Sequence, residues 1–277
     1  MKNLAKLLLA VVALFAYSCT TDTLGIEPGN NEATTIELSL ESTRTQLGEK
    51  AESVYPLYWS EGDQISINGA ASEALGAEAD GSAKATFAVA GTPSKPYCIA
   101  YPAAPAGQVL FAEKQAHAGN STFANGVTTL YGYSTDGVSA QLTHLTGVLK
   151  ISVVGSAKLV LAQISTIDRK PIAGAFDFDF EKGEAKATTA SKEVIEYSFG
   201  EGVQLSNEAT NLHIAVPAGK YDELYITLYD ENGGVMYATV KADDTKPLNA
   251  GNVREFPNAI SYMPNANVFV VKDMDSL

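Results

Sequence analysis

The chain has 277 residues, of which 45% are hydrophobic and 18% are charged, so it holds enough apolar material for a folded core. Its formal charge is −13, and only three of its 19 cationic residues are arginine, which excludes the clustered cations of a nucleic-acid-binding protein. Two cysteines and three histidines exclude a disulfide framework and the usual multi-cysteine zinc sites.

The N-terminus has the features of a secretory signal. Lys2 and Lys6 precede the apolar run 7–15, which is shorter than the ~20 residues that a membrane-spanning helix needs. Small residues then lead directly into Cys19, a pattern that resembles a bacterial lipoprotein processing site, where the cysteine is lipidated and becomes the mature N-terminus. We therefore expect a signal peptide over residues 1–18 and an acyl anchor on Cys19. An ordinary signal-peptidase site just before Cys19 is the alternative.

Residues 19–33 show no apolar period and include the turn-forming sequence Pro28-Gly29-Asn30-Asn31. They are predicted to form a flexible tether between the lipid and the folded part.

The rest of the chain is predicted to be built of β-strands. Ile36, Leu38 and Leu40 alternate with polar residues, which indicates a half-buried strand within residues 34–45. The same reasoning predicts further strands at residues 64–67, 85–89, 97–101, 127–133, 145–154, 175–180, 185–189, 212–216, 223–229 and 235–241.

Turn residues at 181–184 and 230–234 predict two hairpins, and the segment 72–79 is the one plausible short helix, weakened by Gly76. Many short strands at regular spacing favour β-sandwiches of about 100 residues each. We therefore predict an N-terminal domain over 34–154 and a C-terminal domain over 155–277, with a break slightly before Leu145 as the alternative.

Short motifs in a fixed order resemble the fimbrillin family of surface lipoproteins. The motifs are Thr43-Arg44-Thr45, Trp59 to Ile65, Tyr97 to Pro102, His144 to Ile151, Ile172 to Gly174, Ala215 to Tyr221 and Leu248 to Val253. The resemblance implies two transthyretin-like β-sandwich domains and a subunit of cell-surface fimbriae (pili) that mediates adhesion. It also implies an outer-membrane lipoprotein precursor that assembles with other fimbrial subunits, identical or different, by donor-strand exchange.

In this family the N-terminal strand is a temporary plug that an Arg-specific protease removes. Arg44 is the only arginine among the first 168 residues, and it follows the candidate strand that carries Ile36, Leu38 and Leu40. We expect cleavage between Arg44 and Thr45, after which the protein would reside in the fimbrium. The alternative is an uncleaved arginine at the end of a strand.

The candidate donor strand lies at the C-terminus. Val268, Phe269, Val270 and Val271 are apolar in succession, as expected of a strand that is buried on both faces. The alternative is that this segment closes its own second domain.

No set of nucleophile, base and orienting group can be named, so the chain is not expected to be an enzyme or to need a cofactor. His117, His144 and His213 lie in separate segments, and His144 is expected to be a hydrogen-bonded residue at a strand end. The acidic residues Asp177, Asp179 and Glu181 alternate with phenylalanines, so they are expected to line the solvated face of a strand rather than a metal site.

A second function remains open, namely a monomeric surface lipoprotein that binds glycans or other ligands on host or bacterial surfaces. Trp59 with Tyr55 and Tyr58 would then form a platform for a sugar ring, although a tryptophan just before a Gly-Asp turn is more often a core residue.

Overall fold

The computed structural model describes residues 33–40, 58–242 and 246–264, and within them the protein is all-β. The strands of the first half are β1 Thr34–Leu40, β2 Ser66–Ile67, β3 Ala70–Ala71, β4 Lys84–Val89, β5 Tyr97–Tyr101, β6 Gln108–Phe111, β7 Lys114–Ala116, β8 Leu130–Ser134 and β9 Ser139–His144. The later strands are β10 Thr146–Val154, β11 Lys158–Thr166, β12 Ala173–Asp179, β13 Glu184–Lys192, β14 Val194–Gln204, β15 Thr210–Pro217, β16 Glu223–Asp230, β17 Val235–Lys241, β18 Val253–Glu255 and β19 Ile260–Ser261. The described residues contain no helix long and apolar enough to span a bilayer.

Seven strands of the first half form one sheet in the order β3-β2-β5-β8-β9-β1-β4. The two outer strands approach each other, because a bridge joins Ser72 to Val89 and the Glu73 N–H donates to the Ala88 carbonyl. The sheet therefore wraps around a single core, in which Trp59 packs edge-on against Phe87 and Tyr101.

The second half is a two-layer sandwich. One layer has the order β15-β10-β18, with β19 also paired to β10, and the other has the order β17-β16-β11-β14-β7. Alternate residues of both layers, such as Ile151 of β10 and Ile164 of β11, point into one shared core and are fully buried. This is the pattern that period-2 strands give when two sheets pack face to face.

Two short strands of the first half add to sheets built from the second half. β6 pairs with β12, and β7 pairs in parallel with β14. A cluster that includes Phe111, Phe176, Phe178 and Phe180 is buried under the β6–β12 pair. The polar residues Asp177 and Asp179 alternate with these rings, with Asp177 exposed and Asp179 only partly covered.

The structure confirms the all-β class and both predicted hairpins, β12–β13 and β16–β17. The predicted helix over 72–79 is wrong, because that segment holds only a 3₁₀ turn at Ala77–Ala79. β10 pairs with β15 and with β18. The domain bounds 34–154 and 155–277, and the alternative break slightly before Leu145, stay predictions. The division into two transthyretin-like domains stays a prediction.

Candidate functional site: the slot that holds the N-terminal strand

β1 is an interior strand of the seven-stranded sheet, although it comes from the N-terminal end of the described chain. Ile36, Leu38 and Leu40 are 1%, 0% and 6% exposed, so its inward face is sealed in the core. Glu37 on the opposite face is exposed and lies 3.8 Å from Lys84 in a surface ion pair, which contributes little to stability. The alternation seen in the sequence therefore corresponds to one buried and one solvated face.

The slot that receives β1 is formed by β4 on one side and β9 on the other. β1 runs antiparallel to β4, with Ile36 opposite Phe87, and parallel to β9, with Leu40 opposite Leu142. The parallel pairing sets β1 apart, since the other pairings within this sheet are antiparallel. Without β1, both neighbours would become open strand edges.

Hydrogen bonds hold both ends of β1. The Leu40 N–H donates to the Ala83 carbonyl at 3.0 Å, and the Thr34 hydroxyl donates to the Gly91 carbonyl at 2.7 Å. The strand is thus anchored along its whole length by main-chain pairing and by three buried aliphatic side chains.

A cavity of about 300 Å³ lies at the Leu40 end of the slot, and Trp59, Asp63 and Tyr101 contribute to its lining. The Tyr101 hydroxyl donates to the Asp63 carboxylate at 2.8 Å. Burial, followed by the negative charge of Asp63, holds the pKa of Tyr101 far above its usual value, so this phenol stays a neutral donor. At this end of the slot, Tyr101 therefore presents a neutral phenol that is hydrogen-bonded to the Asp63 carboxylate.

Several predicted site residues lie outside the described residues: Cys19, the processing pair Arg44 and Thr45, and the donor residues Val268, Phe269, Val270 and Val271. Tyr55 lies outside them as well. Of the residues predicted for processing and strand exchange, the structure therefore describes only Ile36, Leu38 and Leu40, which lie together on β1.

Other candidates from the sequence take structural roles. Trp59 is 1% exposed and belongs to the core, so it offers no face to a sugar, whereas the neighbouring Tyr58 is 56% exposed. Asp179 accepts a hydrogen bond from the Lys182 ammonium at 2.7 Å, and this bond lowers its pKa. Within the described ranges no group of three or more His, Cys, Asp or Glu side chains is placed to hold a metal ion.

The three histidines are all buried or partly buried, and burial lowers the pKa of each. His144 lies at the end of β9, as expected, and its buried Nε2 has no hydrogen-bond partner among the described residues. His117 and His213 come from separate segments, yet they lie close enough for the charge of His117 to disfavour protonation of His213. Pairings between distant segments such as this one leave no local sequence signal.

Neither a protein-family profile nor a curated protein matches the chain. Solved structures with some likeness include a candidate cell adhesion protein of Bacteroides uniformis ATCC 8492, with 13% identity, a TM-score of 0.44 and coverage of 84% of this chain and 93% of that one. Another candidate cell adhesion protein, from Bacteroides ovatus ATCC 8483, has 10% identity, a TM-score of 0.47 and coverage of 83% and 92%. A fimbrial assembly protein of Parabacteroides distasonis ATCC 8503 has 8% identity, a TM-score of 0.23 and coverage of 74% and 99%. At these identities and TM-scores, the likeness identifies neither a family nor a function for this chain.

Proposed function

We propose that this protein is a cell-surface fimbrial subunit, structural or adhesive, whose N-terminal strand is removed and replaced by a strand from a neighbouring subunit. The single observation that carries the proposal is the position of β1, which fills an interior slot between β4 and β9 with Ile36, Leu38 and Leu40 sealed in the core.

Loss of β1 would leave the protein with an unsatisfied slot. Three aliphatic side chains would leave the core, each worth about 1.5–3 kcal/mol of burial, and the facing edges of β4 and β9 would lose their main-chain partners. A second strand with apolar residues at every other position would restore both kinds of contact at once.

The C-terminal segment has the composition that such a donor needs. Val268 with Val270, or Phe269 with Val271, supplies apolar side chains at period 2, whichever face turns inward. The trigger in this proposal is cleavage between Arg44 and Thr45 by an Arg-specific protease, which separates β1 from the rest of the chain. The precursor would be held at the outer membrane by lipid on Cys19, and the processed subunit would join the fimbrium.

The decisive experiment treats the purified precursor with an Arg-specific protease and follows its mass by native gels and light scattering. We expect cleavage after Arg44, loss of β1 and a ladder of oligomers. The Arg44→Ala variant should stay monomeric under the same conditions. A truncation after Ala266 should be cleaved but should not polymerise unless a peptide of residues 265–277 from a second copy fills the slot.

A precursor that is cut after Arg44, releases β1 and still remains monomeric would overturn strand exchange. Protein from the native surface that begins only at Cys19 would exclude the cleavage step. Either result would leave the second candidate function, a tethered monomer that binds glycans or host ligands.

A further inference from the structure

One face of the five-stranded layer of the second half points away from the core. Along β16, Leu224, Ile226 and Leu228 are fully buried, so Tyr225, Thr227 and Tyr229 lie on the opposite, outer face. On that face Thr227 is covered by its neighbours and is 5% exposed. Tyr225 is 39% exposed, so part of its ring is open to solvent.

The strand register brings polar and aromatic residues together in two adjacent rows across this face. One row contains Glu196, Gln163, Thr227 and Tyr237, and the next contains Val194, Ser165, Tyr225 and Thr239. We call Gln163, Tyr225, Thr227, Tyr229 and Tyr237 the tyrosine face.

Two rings of the tyrosine face stack on each other. Tyr225 and Tyr237 are diagonal neighbours on β16 and β17, with ring centroids 6.1 Å apart and ring planes 21° from parallel. Stacking holds both side chains in place before any ligand binds. A ligand that lies against these rings would therefore pay little conformational entropy for fixing them.

Gln163 supplies oriented polar atoms beside these rings. The Tyr229 hydroxyl donates to Gln163 Oε1 at 3.0 Å, which fixes the amide group. Among the described residues, no hydrogen bond uses the Gln163 Nε2 donors. A fixed amide with free N–H groups next to exposed rings is suited to a ligand hydroxyl.

A cavity of about 390 Å³ lies at the edge of the tyrosine face and is lined in part by Gln163, Tyr225 and Thr227. This volume falls within the usual range of small-ligand sites. Its lining includes one cation, Arg169, and one anion, Glu193, so the two formal charges cancel. The remaining side chains of the lining are neutral, and Ile167 and Val194 add exposed apolar surface.

We propose that the tyrosine face binds a neutral oligosaccharide. A pyranose ring presents apolar C–H groups to an aromatic ring and hydroxyl groups to amides and hydroxyls, and both kinds of partner lie side by side here. The charge balance of the cavity and the overall charge of −13 disfavour polyanions. Peptide addition by strand pairing uses a sheet edge, whereas Tyr225 and Gln163 belong to interior strands.

This inference rests on the proposed function for its surface location, and it specifies the ligand class of the adhesive role. The test uses the uncleaved, monomeric chain and a panel of hexasaccharides of glucose, mannose, xylose and galactose, studied by calorimetry and saturation-transfer NMR. We expect millimolar or tighter binding of at least one hexasaccharide, with transfer from the tyrosine rings to sugar C–H protons. Because the protein is not cleaved, failure of strand exchange would not affect the result.

Variants identify the site. Tyr225→Ala should weaken binding about tenfold, since it removes an aromatic contact, while Tyr225→Phe should retain most of the affinity. Tyr133→Ala is the matched control, because Tyr133 is 38% exposed on β8, away from the tyrosine face, and its loss should leave the affinity unchanged. The proposal is overturned if the whole panel fails to bind at millimolar concentration, or if Tyr225→Ala and Tyr133→Ala behave alike. Binding of an acidic glycan or a peptide alone, at this face, would also overturn it.

Discussion

The side-chain amide of Gln115 forms two hydrogen bonds with the main chain of Ala215: Nε2 donates to the Ala215 carbonyl at 2.7 Å, and the Ala215 N–H donates to Oε1 at 2.9 Å. Gln115 is buried, and Ala215 lies on β15, which is an edge strand of its sheet. The amide therefore takes the place of a neighbouring strand and closes an edge that would otherwise be open.

The Gln115–Ala215 pair predicts a large loss of stability for Gln115→Ala. That change leaves two buried main-chain groups without partners, so the free energy of unfolding should fall by about 2–4 kcal/mol in urea denaturation. Gln141→Ala is the control, because Gln141 is exposed on β9 and should change stability by less than about 0.5 kcal/mol. If the two variants lowered the free energy of unfolding equally, the hydrogen bonds of Gln115 would make no net contribution to stability.

β1 should contribute to stability before any cleavage takes place. Leu38 is fully buried between β4 and β9, so Leu38→Ala should lower the free energy of unfolding by about 2–4 kcal/mol. The same variant should speed the exchange of β1 for a donor peptide, because the departing strand is held less tightly. Glu37→Ala on the exposed face should change neither quantity appreciably, and an unchanged stability of Leu38→Ala would show that β1 is not docked in solution.

His213 should make the protein less stable in acid. Burial, followed by the positive charges of Lys150 and His117, lowers its pKa from 6.5 to about 4, while Glu255 acts weakly in the opposite direction. Between these two pH values the unfolded chain binds a proton that the folded protein does not, so the free energy of unfolding falls as the pH is lowered. The contribution of His213 to the free energy of unfolding is about 3 kcal/mol, present above pH 6.5 and lost towards pH 4.

The measurement is the urea midpoint of the wild type and of His213→Leu across this pH window. The variant should show a smaller dependence on pH, since an uncharged side chain binds no proton in either state. Identical slopes for the two proteins would assign the acid sensitivity to other groups, such as His117 and His144, whose pKa values burial also lowers.

Any side chain at Gly147 should destabilise the protein for steric reasons. A Cβ at this position of β10 would lie 2.5 Å from Leu248 Cγ and 2.7 Å from the Asn249 carbonyl oxygen. Gly147→Ala should therefore cost about 1–3 kcal/mol, measured by thermal or urea unfolding. Gly132→Ala is the comparison, because the atom nearest to its Cβ is a terminal methyl of Leu142, at 2.8 Å, and not a main-chain atom, so its cost should be smaller. A larger loss of stability for Gly132→Ala than for Gly147→Ala would contradict these contacts.

Local sequence patterns predicted much of the secondary structure. β5 and β17 match their predicted residues, and β1 and β16 lie within one or a few residues of theirs, since alternation of apolar and polar side chains is a property of each strand by itself. The sequence analysis missed β6, β7, β9, β11 and β14. In β11 a register shift between Leu159 and Leu161 interrupts the period. In β14 the alternation is intact, since buried Ile195, Tyr197 and Phe199 alternate with exposed residues, so this strand could have been predicted from the sequence. The predicted helix over 72–79 is wrong because Gly76 disfavours helix and the neighbouring residues pair with β2 and β4 instead.

The sequence by itself determined the all-β class, the apolar face of β1 with Ile36, Leu38 and Leu40, and the turns of both hairpins, because these depend on residues only a few positions apart. The tertiary structure alone decided that β1 lies parallel to β9, that Gln115 closes the edge at Ala215, and that Tyr225 stacks on Tyr237 beside Gln163. Each of these contacts depends on which strands become neighbours and in which register they pair. That choice is made by the packing of the whole core, and no single segment of the chain encodes it.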